Sequence, residues 1–211
     1  MEEINQQPTE TLKDIKQLME RSSRFISLSG LSGIAAGICA LVGAWIADDI
    51  LSEPGWRFPA EPFRNITNDL ITMRLLLLGA AVFILALLLS FFLTYQRSRK
   101  LNLPLWDHTS RRLLWNLLVP IVAGGLFVLG MLQYGEWRFI APACLIFYGL
   151  GLINGSKYTW TDIRYLGYLE IVLGAINMCW IGYGLYFWAI GFGVLHIFYG
   201  AIMWYKYERN A

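Results

Sequence analysis

Residues 75–95 read LLLLGAAVFILALLLSFFLTY, 21 residues without a charge. At about 1.5 Å per residue a helix of this length reaches across about 30 Å, the thickness of a bilayer's hydrocarbon core. Backbone N–H and C=O groups meet no water there, so only a segment that hydrogen-bonds within itself is tolerated. The run therefore predicts a transmembrane helix. Working outward, five more runs have the same character: Phe25–Ala47 before it, and Leu113–Leu132, Trp137–Ile153, Ile163–Ile181 and Leu185–Tyr205 after it. Pro142 lies near the start of its run, where a missing N–H costs little. Pro120 falls inside its run and predicts a kink.

Composition supports this class. Of 211 residues, 56% are hydrophobic and 15% charged, against roughly 25% charged in a soluble domain whose surface must be wetted. A soluble globular domain and a disordered chain are excluded, and three cysteines are too few for a disulfide scaffold. A net charge of +2 gives no basis for nucleic-acid binding. The fold class predicted is an all-α polytopic membrane protein with six transmembrane helices. The first span follows a polar, charged stretch too long for a signal peptide's leading region and has no small-residue cleavage site, so it reads as retained.

Basic residues orient the chain, because Lys and Arg are held on the cytoplasmic side. Lys13, Lys16, Arg21, Arg24, Arg97, Arg99, Lys100, Arg111, Arg112, Lys157, Arg164, Lys206 and Arg209 fall on one side, and Arg57, Arg64, Arg74 and Arg138 on the other. The split predicts both termini in the cytoplasm. Trp45, Trp106, Trp115, Trp137, Trp160, Trp180 and Trp204 lie at or near predicted helix ends, where an amphipathic ring suits the headgroup layer.

Three segments lie outside the predicted spans. In residues 1–24, Thr11 with Asp14 resembles a capping box, and Leu12, Ile15, Met19 and Ser22, followed by Ile26, recur at helical spacing. An amphipathic helix is expected, resting on anionic lipid through its basic residues or binding a cytoplasmic protein partner. The outer loop, residues 48–74, places Trp56, Phe58 and Phe63 among Pro54, Pro59 and Pro62 and predicts an ordered cap. In the connection 96–112, Asp107-His108-Thr109-Ser110 stands directly ahead of a helix and reads as N-capping rather than catalysis.

An ionisable side chain inside a span costs roughly 2.5–3.5 kcal/mol on insertion scales, which makes it a functional candidate. Away from helix ends two remain, Glu170 and His196, with Asn177 one heptad beyond Glu170 on the same face. Gly174 between them permits close approach of another helix. Glu170 stands thirteen residues before Tyr183 of the Gly182-Tyr183-Gly184 turn, and His196 thirteen after it, so an antiparallel hairpin sets both at one depth. Depth leaves their rotation open. They form a buried hydrogen bond that fixes helix register, or line a polar site for a ligand, proton or cation, or do not meet. Cys39, Cys144 and Cys179 lie in separate spans without ligand spacing, and no metal or other cofactor is expected.

Leu169–Ile176 parallels Leu195–Ile202 at an offset of 26 residues, and Ile146-Phe147-Tyr148-Gly149 recurs as Ile197-Phe198-Tyr199-Gly200. Transporters contain internal repeats, but shared helix-packing demands explain matches this short equally well. Gly30, Gly33 and Gly37 give the first span a small-residue face. No Gly-rich phosphate loop with lysine, HExxH, GxSxG or paired intramembrane aspartate is present. Nucleotide-driven transport and the familiar intramembrane protease chemistries are thus unsupported, and an intramembrane enzyme stands as a third reading behind the two given below.

The stretch Met19-Glu20-Arg21-Ser22-Ser23-Arg24-Phe25-Ile26-Ser27-Leu28-Ser29-Gly30-Leu31-Ser32-Gly33, followed by Ala36-Gly37, resembles an uncharacterised family of bacterial six-helix inner-membrane proteins. Their shared feature is a charged amino-terminal helix running into a Ser/Gly-rich first span. The resemblance implies a bacterial inner-membrane location and brings no activity, cofactor or site residue. The function expected is a non-enzymatic sensing, regulatory or interaction role, with a small-molecule or proton-linked transporter using Glu170 and His196 as the alternative. No oligomeric state follows from the sequence.

Overall fold

The computed structural model describes residues 28–52, 70–104 and 106–209. The expected amphipathic helix of residues 1–24 and most of the outer loop lie outside these residues. Every regular element described is helical: α1 (Gly30–Leu51), α2 (Leu70–Lys100), α3 (His108–Gln133), α4 (Ile140–Gly155) and α5 (Ile163–Cys179). A last rod follows, made of α6 (Gly184–Trp188), a π-helical turn (Ala189–Leu195) and α7 (His196–Tyr207). Single 3₁₀ turns at Trp137–Phe139, Ser156–Tyr158 and Ile181–Tyr183 join the later helices.

Five helical stretches, Gly30–Leu51, Leu70–Lys100, His108–Gln133, Trp137–Tyr158 and Ile181–Tyr207, are long and apolar enough to cross a membrane, the shortest at 22 residues, and α5 has 17. The Trp137–Ile153 run, the shortest by sequence, gains length from its flanking 3₁₀ turns and extends over Trp137–Tyr158. The helix around the 75–95 run is longer than the run itself. It starts at Leu70 and ends at Lys100, because Arg97, Arg99 and Lys100 suit a helix C-terminus.

Local chemistry sets the ends. Asp107 caps α3: its Oδ1 accepts from the Ser110 N–H at 2.6 Å, and Ser110 Oγ accepts from the Asp107 N–H at 2.8 Å, a reciprocal capping box. α2 and α3 both stop in Schellman-type turns. Asn102 (φ 52°) and Gly135 (φ 74°) supply the left-handed residue, and Leu103 N–H and Glu136 N–H reach back to Ser98 O and Met131 O.

Packing runs along two glycine seams. In the first, α4 crosses α5 at Gly149 and Gly167, where a Cβ on either would stand 2.6 or 2.8 Å from the other's carbonyl oxygen. Gly174 continues this seam against the Pro142 carbonyl, as its position between Glu170 and Asn177 predicted. In the second, the Gly30, Gly33 and Gly37 face of α1 meets Gly200 and Gly193 of the last rod, again backbone to backbone. α2 lies along α1, and α3 along α4. The 26-residue repeat thus has a packing explanation: Gly174 and Gly200, equivalent in the repeat, each admit a different neighbouring helix.

Candidate functional site

On α5 the buried residues are Ile163, Leu166, Gly167, Glu170, Gly174 and Asn177, one helical face in which the two glycines flank the carboxyl. The missing Cβ atoms let α4 come so close that Glu170 is completely enclosed, at 0% exposure. A Cβ on Gly149 would lie 3.1 Å from the Glu170 Cβ. From the other side the π-helical turn presents Gly191, where a Cβ would stand 2.6 Å from Glu170 Oε2. The same Cβ would stand 2.5 Å from Leu145 Cδ2, so the carboxyl and Leu145 together fill the space that glycine leaves. π-helical turns are rare and recur at functional sites.

His196 begins α7 directly after the turn, and its Nδ1 lies 3.5 Å from Glu170 Oε1. The matched depth therefore brings the two side chains together. Yet the imidazole's hydrogen bonds go elsewhere. Nδ1 is 3.0 Å from the Gly191 carbonyl oxygen, which can only accept, so Nδ1 carries the proton and donates it there. That tautomer leaves Nε2 as an acceptor, and the Tyr148 hydroxyl donates to it at 2.7 Å. The neutral ring is thus fully satisfied without the carboxylate. Glu170 Oε1 and Oε2 are both buried without a hydrogen-bond partner.

Asn177, also at 0% exposure, shares the face of Glu170 and does a different job. Its Nδ2 donates to the Trp180 carbonyl at 3.1 Å, closing the last turn of α5, while its Oδ1 is unpartnered. Aromatic rings cover the His196 side of the site. Tyr148 packs at 5.1 Å from Phe192, and Phe192 at 5.2 Å from Trp188, centroid to centroid.

Sequence reasoning placed Glu170, His196 and Asn177 but not Tyr148 or Gly191. The signal for Tyr148 was the recurring Ile-Phe-Tyr-Gly tetrad. A second cluster had no sequence signal, because its ion-paired residues, Arg97 and Glu208, are 111 residues apart. Arg97 pairs with Glu208 at 3.1 Å, and the two side chains are 10% and 12% exposed. Arg97 also donates to the carbonyls of Tyr207, at 3.1 Å, and Leu28, while Glu208 accepts from the Gly30 N–H and, at 3.1 Å, from Ser29 Oγ. One ion pair binds the start of α1, the end of α2 and the end of α7, and its carboxylate stands at the N-terminus of α1, where the helix dipole favours negative charge.

Among the described residues no group of three or more His, Cys, Asp or Glu could hold a metal ion. Chemically the site offers one carboxyl free to take a proton or a donor, beside an imidazole in a defined tautomer. No protein-family model, curated protein or solved structure matches the chain.

Proposed function

We propose that this chain is a six-span protein of a bacterial inner membrane, with both termini cytoplasmic, acting as a non-enzymatic sensing or regulatory component. Orientation is supported by where the helix ends meet. Arg97, Asp162, Lys206 and Glu208 are joined by hydrogen bonds and ion pairs at one end of the bundle, the end that also carries most of the basic residues. The amphipathic pattern of residues 1–24 supports contact with lipid or a cytoplasmic partner. The observation that carries the functional reading is Glu170, fully enclosed, with both oxygens unpartnered 3.5 Å from His196. A buried carboxylate without a donor is costly, so the site responds to whatever neutralises it. Its connection to the π-helical turn gives that response a route into the last rod.

A proton-linked transporter would use the same pair, and the ionisable groups deep within a span favour that second reading. Proteoliposomes holding a pH dye separate the two. The sensor reading expects wild type and Glu170→Gln to leak protons alike, while Trp188 fluorescence beside Phe192 changes with pH in wild type only. Proton flux in wild type that Glu170→Gln abolishes would overturn it in favour of transport.

A further inference from the structure

The partners that His196 holds limit what Glu170 can bind. A hard cation takes about six oxygen ligands. Here the carboxyl contributes two oxygens, and the Gly191 carbonyl is already engaged by the imidazole. The donor set suits a proton. The titratable groups facing Glu170 are Tyr148 from α4 and His196 from α7. On α5 itself Tyr165, Tyr168 and Cys179 are turned to its exposed sides, and the π-helical turn has no titratable side chain.

We infer that Glu170 is a proton-binding site whose state is reported by the Nδ1–H of His196, shared between two acceptors: the Gly191 carbonyl when Glu170 is protonated, and the Glu170 carboxylate when it is not. Building on the sensing reading above, this assigns its signal. The two acceptors stand 3.0 and 3.5 Å from the same nitrogen, so a small rotation of the ring exchanges them. The proton lost by the carboxyl passes to the aqueous phase, and the imidazole remains neutral, with Tyr148 donating to Nε2 in both states. Releasing Gly191 O has a structural consequence. In an α-helix that carbonyl would accept from the Leu195 N–H, four residues on, while the His196 N–H, which would reach it in a regular π-helix, goes to the Gly193 carbonyl. A Gly191 carbonyl released by the ring is therefore open to the Leu195 N–H, which favours the α-helical register of the last rod at this point. Tyr148 is a positioning residue that holds the tautomer.

The test uses the full chain in nanodiscs with ¹⁵N-histidine and the exposed His108 replaced (His108→Gln), which leaves one imidazole to observe. Infrared spectra follow the protonated-carboxyl band across the same pH series. The expected result is that loss of the carboxyl band and a shift of the His196 Nδ1 resonance share one midpoint. In Glu170→Gln the resonance holds the Nδ1–H tautomer at every pH, and in Tyr148→Phe both tautomers appear. Glu170→Asp serves if the glutamine variant does not fold: its shorter side chain still titrates, but the Nδ1 shift no longer follows it. A His196 resonance that titrates alike in wild type and Glu170→Gln, or a carboxyl band unlinked to it, overturns the inference. Proton flux in the liposome experiment with this spectroscopic coupling intact would overturn only the sensing reading.

Discussion

Gly191 shows how one backbone position is governed by a side chain on another helix. Its Cα faces the Glu170 carboxyl and Leu145 at once, and an added methyl would stand 2.6 Å from Oε2 and 2.5 Å from Leu145 Cδ2. Overpacking of this kind costs typically about 1–3 kcal/mol. Gly191→Ala should lower the unfolding free energy in detergent by that amount, measured by SDS or urea titration. The cost should be smaller in the Glu170→Ala background, where the carboxyl is gone and only Leu145 has to shift. Equal cost in both backgrounds would show that Leu145 rather than the carboxyl demands the glycine.

At the scale of the helix, Pro120 illustrates how a span tolerates a residue that breaks its ladder. Proline has no N–H, so the Asn116 carbonyl four residues earlier loses its intrahelical donor. α4 supplies the replacement: Asn154 Nδ2 donates to Asn116 O at 2.9 Å, and its Oδ1 accepts from Lys157 Nζ at 3.3 Å. Neighbouring helices commonly satisfy backbone groups freed in this way. Asn154→Leu should destabilise by about 1 kcal/mol, the low end of the cost of orphaning an acceptor, because the Asn116 carbonyl is half-buried. Pro120→Ala, which restores the N–H, should recover most of that loss in the double variant, as a double-mutant cycle in detergent unfolding would show. Strict additivity would mean that the carbonyl has another partner. The proline was visible in the sequence as an expected kink, but its remedy was not, since Asn154 lies on another helix and looks like any residue near a span's end. The same limit applies across the fold. Apolar runs and glycine spacing made the helices and the α1 face legible, because each is local. The π-helical turn was invisible, since AIGFGVL reads as ordinary apolar helix.

For the molecule as a whole, the question is what keeps the α1–α2 pair attached to the α3–α7 body. Two attachments are present: the glycine seam between α1 and the last rod, and the Arg97–Glu208 clasp at the end of the bundle. Within the body a separate latch at that end, Asp162, ties the α4–α5 connection to α7, accepting from Lys206 Nζ and Tyr207 Oη at 2.8 Å each. Partial burial alone would raise the Asp162 carboxyl's pKa, but the bonds from Lys206 and Tyr207 outweigh it and hold it below the usual carboxylate range. Its contribution is therefore present above the unfolded carboxylate value of about 3.9 and is lost as pH falls through the lower folded value. Acid unfolding followed by circular dichroism should show wild type losing stability more steeply than Asp162→Asn over that range; parallel curves would remove the latch. The seam is tested at Gly200, where a Cβ would stand 2.6 Å from Gly30 O and 2.7 Å from Ile34 N. Both are backbone atoms of α1, so no rotamer change can relieve the clash and α1 itself has to move away. Gly200→Ala should accordingly speed hydrogen exchange in α1 and in α7 while leaving the α4–α5 seam protected. If exchange instead rises evenly through all the helices, the α1–α2 pair is part of one cooperative unit with the body, and the division at the seam fails.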